Sequence, residues 1–445
     1  MLQGKKNVGV LTGFFDNGVY APLFAATERS VTAANGLVGG RPVYAVCQSG
    51  DALSAADIDV MTRALHLAAK TGNPVVTFYN APGAKLEEGL GILSATASLN
   101  AAIAKISGVV PQIAVVLGIC GASAALSAAA ADLCIMSADA ELFLAAPFLS
   151  AAKGDKTPGA GSAAFAAKAG VAALVADNTE SAVRKAAELI VRLPANNLAL
   201  PSEFDFTLPS AALNLSGYTA QAAMEAIADT GSVYPLYTGY GTGLEVAFAT
   251  VGGGVIGFVA TAGPDVPLCR QSADKAARFV RLCDAFSIPL VTLLHTDGFS
   301  TGSAEDMAGG IRAAARLAAT YADATTARVA VLAGKAVGPA YIALGCADLT
   351  IALPGSTVLA PAEPSAVVSV LYKEELGSAG DSLAAATAAK VKEYEAASGE
   401  AALAAGLADI ETTPAGLRAA VESALGVLAS KRVQRLPKKH GNMSL

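Results

Sequence analysis

The stretch Gly118–Asp132, GICGASAALSAAAAD, recurs as Gly334–Asp348, GKAVGPAYIALGCAD, and both the leading glycines and the closing aspartates are 216 positions apart. Each copy has the same order of parts: an apolar run (IAVVL, VAVLA), small residues, an Ala-rich segment and a second apolar run (LCIMS, LTIAL). That order reads as strand, tight turn, helix, strand. The duplication continues upstream, where GNPVVTFYNAPG matches SIPLVTLLHTDG at an offset of 215 (Pro74, Pro289) and LVGGRPVYAV matches TVGGGVIGFV at 213. A solenoid needs three or more short repeats, whereas two repeats of about two hundred residues are two similar domains of ordinary size.

The domain boundaries are expected at 1–205 and 206–445, because residues 192–218, RLPANNLALPSEFDFTLPSAALNLSGY, form the one long stretch where Pro, Asn and Ser break every periodicity. Within each domain, two β-rich runs around a glycine pair (Gly39–Gly40 in the first) suggest an antiparallel hairpin. An amphipathic helix follows, DIDVMTRALHLAAKTG or SADKAARFVRLCDAFS, and then PVVTFY or PLVTLLH. A further long helix, EEGLGILSATASLNAAIAKISG or SAEDMAGGIRAAARLAATYADAT, precedes the recurring unit. Strands alternating with helices in this way give the α/β class, a mostly parallel sheet layered with helices.

Composition narrows the function. A net charge of −6 offers no basic stripe for phosphate backbones, so nucleic acid is not an expected partner; the basic tail SKRVQRLPKKHGNMSL reads as a solvated terminus. Only 15% of residues are charged while 53% are hydrophobic, much of it alanine, which predicts large subunit interfaces. No signal peptide is expected, and the apolar run Val246–Ala262 carries glycines at its centre and reads as a buried hairpin rather than a membrane span. Six scattered cysteines without CxxC spacing read as reduced packing residues of a cytoplasmic protein. Three histidines (His66, His295, His440) are too few and dispersed for a His-based metal site, so no metal is expected.

No nucleophile elbow, P-loop or dinucleotide fingerprint stands out. What recurs after a strand and before a helix is a turn of very small residues, Gly121-Ala122-Ser123 and Gly338-Pro339-Ala340. A second such turn follows the preceding strand, Ala81-Pro82-Gly83-Ala84 and Asp297-Gly298-Phe299. Such turns at adjacent strand ends can aim backbone N–H groups at one point and stabilise an oxyanion without a catalytic side chain. Equally, glycine and alanine there let a helix approach a sheet closely.

At these residues the chain resembles a known family, the carboxyltransferase subunits of biotin-dependent acyl-CoA carboxylases and acyl-CoA decarboxylases, built from two crotonase-like β-β-α superhelical domains. In the first half the resemblance is carried by NAPGAKLEEG (80–89), SGVVPQIAVVLGICGASAAL (107–126) and Asp132. In the second it is carried by residues 272–292, GFSTG (298–302), residues 309–325 and GKAVGPAY (334–341), with LPKKHGN (436–442) close to the family's usual ending. The resemblance implies that the first domain holds acyl-CoA, the second receives biotin, and the active site forms between domains of different subunits.

On that reading the amides around Gly121, Ala122 and Ser123 polarise the thioester carbonyl, and those around Gly338 and Ala340 stabilise the ureido oxygen of biotin. Gly83, Ala84 and Lys85 contact the CoA moiety, while Gly298, Phe299, Pro339 and Tyr341 line the biotin side. The chain departs from the family pattern where Asp-x-Pro-Gly-Phe becomes His295-Thr296-Asp297-Gly298-Phe299, where the Gly-Gly pairs become Ala122-Ser123 and Gly338-Pro339, and where Asp-Ser-Gly-Gly-Ala-Arg becomes Asn80–Lys85. Proline has no N–H to donate.

With no biotin-attachment lysine and no ATP-binding loop, the implied partners are a biotin carrier protein, a biotin carboxylase or a membrane decarboxylase of the sodium-pump type, and further copies of this chain in a dimer-based hexamer. The implied localisation is cytoplasmic, peripheral to a membrane complex in the second case. Two other readings stay open: a degenerate scaffold paralogue, and a biotin-independent crotonase-type acyl-CoA enzyme, for which Glu87 and Glu88 are the nearby candidates for a general base.

Overall fold

The computed structural model describes residues 3–24, 29–434 and 437. The ending LPKKHGN and His440 therefore lie, apart from Pro437, outside the described residues. The chain divides into two compact units, Met1–Ser202 and Glu203–Leu445, a break inside the Pro- and Asn-rich stretch.

The first unit's sheet contains β1 (Tyr20–Leu23), β2 (Val31–Val38), β3 (Arg41–Gln48), β4 (Val75–Ala81), β5 (Gln112–Gly121), β6 (Leu133–Ser137), β7 (Glu141–Phe143) and β8 (Leu174–Ala176), in the spatial order β1-β2-β3-β4-β5-β6-β8 with β7 beside the end of β5. The second unit contains β9 (Tyr234–Leu236), β10 (Leu244–Val251), β11 (Gly254–Thr261), β12 (Leu290–Thr296), β13 (Arg328–Val337), β14 (Leu349–Ala352), β15 (Val358–Ala360) and β16 (Ile410–Glu411). Its order is the same one, β9-β10-β11-β12-β13-β14-β16, with β15 beside the end of β13. In each sheet the first three strands pair antiparallel and the rest parallel. The run from Val246 is accordingly the β10–β11 hairpin, and among the described residues no helix is long and apolar enough to cross a membrane.

Local chemistry explains the elements. The helix Ala55–Thr71 starts at a capping box, Ser54 with Asp57, and stops where Gly72 takes φ 67°. It lays Ile58, Met61, Leu65 and Ala68, at helical spacing, into the core of the first unit. Burying side chains of that size stabilises by about 1.5–3 kcal/mol each. The recurring aspartates close the strand–helix–strand unit: Asp132 accepts from the Gln112 amide (2.8 Å) and Asp348 from the Arg328 amide (2.9 Å), each reaching back to the first residue of the neighbouring strand. This contact is a physical reason for an aspartate to stand at the same place in both repeats.

Candidate active site

The strand ends repeat in detail. Tyr79 pairs with Val116 and Ala81 with Cys120, so three residues of β5 (Leu117, Gly118, Ile119) stand opposite Asn80 alone. In the second unit Leu294 pairs with Leu332 and Thr296 with Ala336, so Ala333, Gly334 and Lys335 stand opposite His295. Such a bulge bends the strand and re-aims the residues after it. Its glycines are required by packing: a Cβ on Gly118 would lie 2.2 Å from Asn80 Oδ1, and one on Gly334 would lie 2.3 Å from His295 Nδ1.

Beyond the bulge each strand runs into its turn. Ala122 has φ 52° and Gly338 φ 50°, so the residues that share the left-handed backbone are Ala122 and Gly338, again 216 apart. This corrects the expectation that set Gly121-Ala122-Ser123 against Gly338-Pro339-Ala340: the true partner of Gly121 is Val337, the last residue of β13. A helix comes after each turn, Ser123–Ala130 and Gly338–Leu344.

The first turn needs a further correction. The Ala122 amide donates to the Phe143 carbonyl at 2.9 Å, because β7 runs parallel to the end of β5 and the next amide continues that ladder. It is therefore not a free oxyanion donor. Gly121 is buried with the Phe143 ring where a Cβ would be (2.7 Å), leaving the Ser123 amide, at the head of its helix, as the donor with no partner among the described residues. Beyond Phe143 opens a groove of about 620 Å³ lined by Leu142, Leu144, Phe148 and Phe165.

In the second turn Gly338, Pro339 and Ala340 are the first three residues of their helix, where no intrahelical acceptor exists for an N–H, so proline forfeits no helical bond there. Gly338 and Ala340 are buried, Pro339 is exposed, and outside that helix neither of the two amides donates to another described residue. Tyr341 is half-buried, and burial, then Asp409 and Cys346, hold its hydroxyl above the usual tyrosine range.

The companion turns also match. Leu53 N–H donates to Gly83 O (2.9 Å) and Lys85 N–H to Leu53 O (2.8 Å), while Leu268 N–H donates to Gly298 O (3.0 Å) and Ser300 N–H to Leu268 O (2.7 Å). Ala84 and Phe299 are the bridged residues of those contacts. The Gly298 amide donates to Thr296 Oγ1 at 3.2 Å, so these turns carry fewer free amides than expected and act more as braces. The Lys85 side chain is exposed. Glu88 Oε2 accepts from the Ala55 amide at 2.7 Å, which ties it to a helix N-terminus.

Sequence reasoning missed a charged cluster at the second bulge. Lys335 Nζ lies 3.2 Å from Asp297 Oδ1 and 3.5 Å from Glu395 Oε1. Burial opposes its charge, but those two carboxylates outweigh burial and raise its pKa. Its one available signal was that a lysine occupies the place of Ile119 in the other repeat. Among the described residues no cluster of His, Cys, Asp or Glu is arranged to hold a metal ion.

Residues 16–443 match the family model described as the carboxyl transferase domain. The chain is 32% identical to the methylmalonyl-CoA carboxyltransferase 12S subunit of Propionibacterium freudenreichii subsp. shermanii, over 93% of this chain and 83% of that one. It is 30% identical to the methylmalonyl-CoA decarboxylase subunit alpha of Veillonella parvula, over 94% of this chain and 86% of that one. The crystal structure of transcarboxylase 12S, a hexamer assembly with methylmalonyl-CoA and methylmalonic acid bound, matches with a TM-score of 0.92 at 30% identity, covering 99% of this chain and 92% of that one.

Proposed function

The chain belongs to the carboxyl transferase family, and from that premise we propose that it is the subunit that moves a carboxyl group between a small acyl-CoA, of the methylmalonyl or malonyl type, and biotin borne on a separate carrier. The observation that carries the reading is the duplicated turn, a left-handed residue at the end of β5 and of β13 followed at once by a helix N-terminus. Both steps of such a transfer develop negative charge on an oxygen, and fixed N–H dipoles at those oxygens lower the barrier; losing one costs about 3–4 kcal/mol.

On the acyl-CoA side the Ser123 amide donates to the thioester oxygen, the apolar groove beyond Phe143 has room for the acyl group, and Lys85 stands exposed for a CoA phosphate. On the biotin side the amides of Gly338 and Ala340, which donate to no described residue outside their helix, fit an anionic oxygen, and the half-buried residues Phe299 and Tyr341 are the ones we assign to the biotin ring. Biotin, when its carrier presents it, supplies the ureido nitrogen that takes up or gives up the carboxyl group. The partners this reaction requires are the carrier, a biotin carboxylase or a membrane decarboxylase, and further copies of this chain, since each unit carries one half of the chemistry.

The test is transfer from methylmalonyl-CoA or malonyl-CoA to free biotin, followed as loss of the carboxylated thioester. Saturable, biotin-dependent turnover is expected. No turnover at any biotin concentration would sink the proposal and leave a scaffold role in its place.

A further inference from the structure

His295 is held on every side. Its amide donates to Thr261 Oγ1 (2.7 Å), Thr261 Oγ1 donates back to its carbonyl (3.0 Å), the Tyr218 ring meets the imidazole edge-on at 4.9 Å, and the missing side chain of Gly334 leaves the space its ring occupies. Its Nδ1 accepts the Lys335 amide at 3.0 Å. A neutral ring in that arrangement carries its proton on Nε2, and a proton added at Nδ1 faces an N–H instead of a lone pair. The hydrogen-bonded amide belongs to the last residue of the bulge. From that residue on the strand pairs with β15 (Lys335 with Val358, Ala336 with Leu359, Val337 with Ala360) and leads directly into Gly338.

We infer that His295 is a positioning residue for the biotin-side turn: its neutral imidazole pins the bulge of β13 through the Lys335 amide, and acidification releases the bulge and with it Gly338 and Ala340. The functional half of this inference rests on the carboxyltransferase reading. The same place in the first unit is taken by Asn80, which lies over Gly118 and does not titrate, so the device acts on one half of the reaction only.

The surroundings support a neutral ring at pH 7. Burial lowers the His295 pKa below its ordinary value; Asp297 on its own strand end and Asp265 from the loop after β11 pull it up, and Lys335 on β13 pushes it down. Glu395, from the helix Leu383–Ala404, engages Lys335 rather than the ring, and burial holds the Tyr218 hydroxyl well above the usual range. Because burial sets the His295 pKa below the ordinary histidine value of about 6.5, its charge change is read between about pH 7.5 and about pH 4.5.

The experiment is hydrogen exchange, read by mass spectrometry on the β13 peptide of the full chain at those two pH values and corrected for intrinsic rates, together with KM for free biotin and for acyl-CoA. Losing one hydrogen bond corresponds to about a fivefold change. The wild type is expected to lose protection at Lys335 by about that factor on acidification, with KM for biotin rising by a similar factor and KM for acyl-CoA steady. His295→Asn, which borrows the side chain of the other unit, is expected to remove the acid dependence, and His66→Asn, a change on an exposed helix face, to keep it. Equal protection at both pH values, or an acid limb that survives in His295→Asn, overturns the inference. If that variant does not fold, parallel rises of both KM values in the wild type overturn it instead. If the wild type never turns over biotin, the exchange measurement still decides the role of His295 while the proposed function fails separately.

Discussion

Ala122 offers a measurement in which the backbone alone sets the sign. Its φ of 52° with ψ −122° is a conformation that residues with a Cβ adopt at a cost of about 1–3 kcal/mol. Ala122→Gly removes that strain but adds chain entropy to the unfolded state, which costs about 0.5–1 kcal/mol. The net expectation is a stabilisation of about 1 kcal/mol, which for a unit of this size raises its melting temperature by roughly 2–4 °C. Gly338→Ala runs the same test backwards. It installs a Cβ at φ 50° and within 3.0 Å of the Pro361 carbonyl, so the second unit is expected to lose about 1–3 kcal/mol. Scanning calorimetry on the full chain, checked by urea midpoints at unchanged slope, reads both shifts. A lowered melting temperature for Ala122→Gly, the usual effect of a glycine at an ordinary position, would refute the claim that the Ala122 turn is strained.

Three further outcomes rest on the geometry. Gly118→Ala places a Cβ 2.2 Å from Asn80 Oδ1, and overpacking of that kind is expected to cost about 1–3 kcal/mol in urea unfolding. Asp348 accepts from Lys431 Nζ (2.6 Å) and pairs with Arg328 (3.1 Å); burial opposes its charge, but these partners outweigh burial and depress its pKa below the usual carboxylate value. A depressed carboxylate stabilises above its unfolded pKa and loses that contribution as pH falls through the folded one. Asp348→Asn is therefore expected to cost about 2–3 kcal/mol at neutral pH, with the gap to the wild type closing only in acid, below the ordinary carboxylate pKa. Lys85→Ala is expected to raise KM for acyl-CoA about fivefold and to flatten its salt dependence while kcat holds, the signature of a lost exposed phosphate contact.

What the sequence made legible is what the backbone restricts. The offset of 216 marks the glycines, the turn and the aspartates because each answers a constraint a side chain cannot negotiate: room for Asn80 or His295, a left-handed φ, an acceptor for the first amide of a strand. The alternation of apolar runs marked the strands for the same reason, since parallel strands buried on both faces must be apolar throughout. The hidden features depended on register. The bulge puts three residues opposite one without changing composition, so neither the meeting of His295 with the Lys335 amide nor the Asp297–Lys335–Glu395 cluster could be read from spacing. The loss of the Ala122 amide to Phe143 was hidden because β7 is three residues long and has no periodicity of its own. The two repeats thus keep one backbone and differ in the side chains laid over it: Asn80 against His295, Ile119 against Lys335, Ala122 against Gly338. On the proposed function, a duplicated frame with divergent fillings suits two half-reactions on chemically different partners: the shared need, a fixed dipole at an anionic oxygen, would be met by the backbone, and the difference between the partners would have only side chains left to express it.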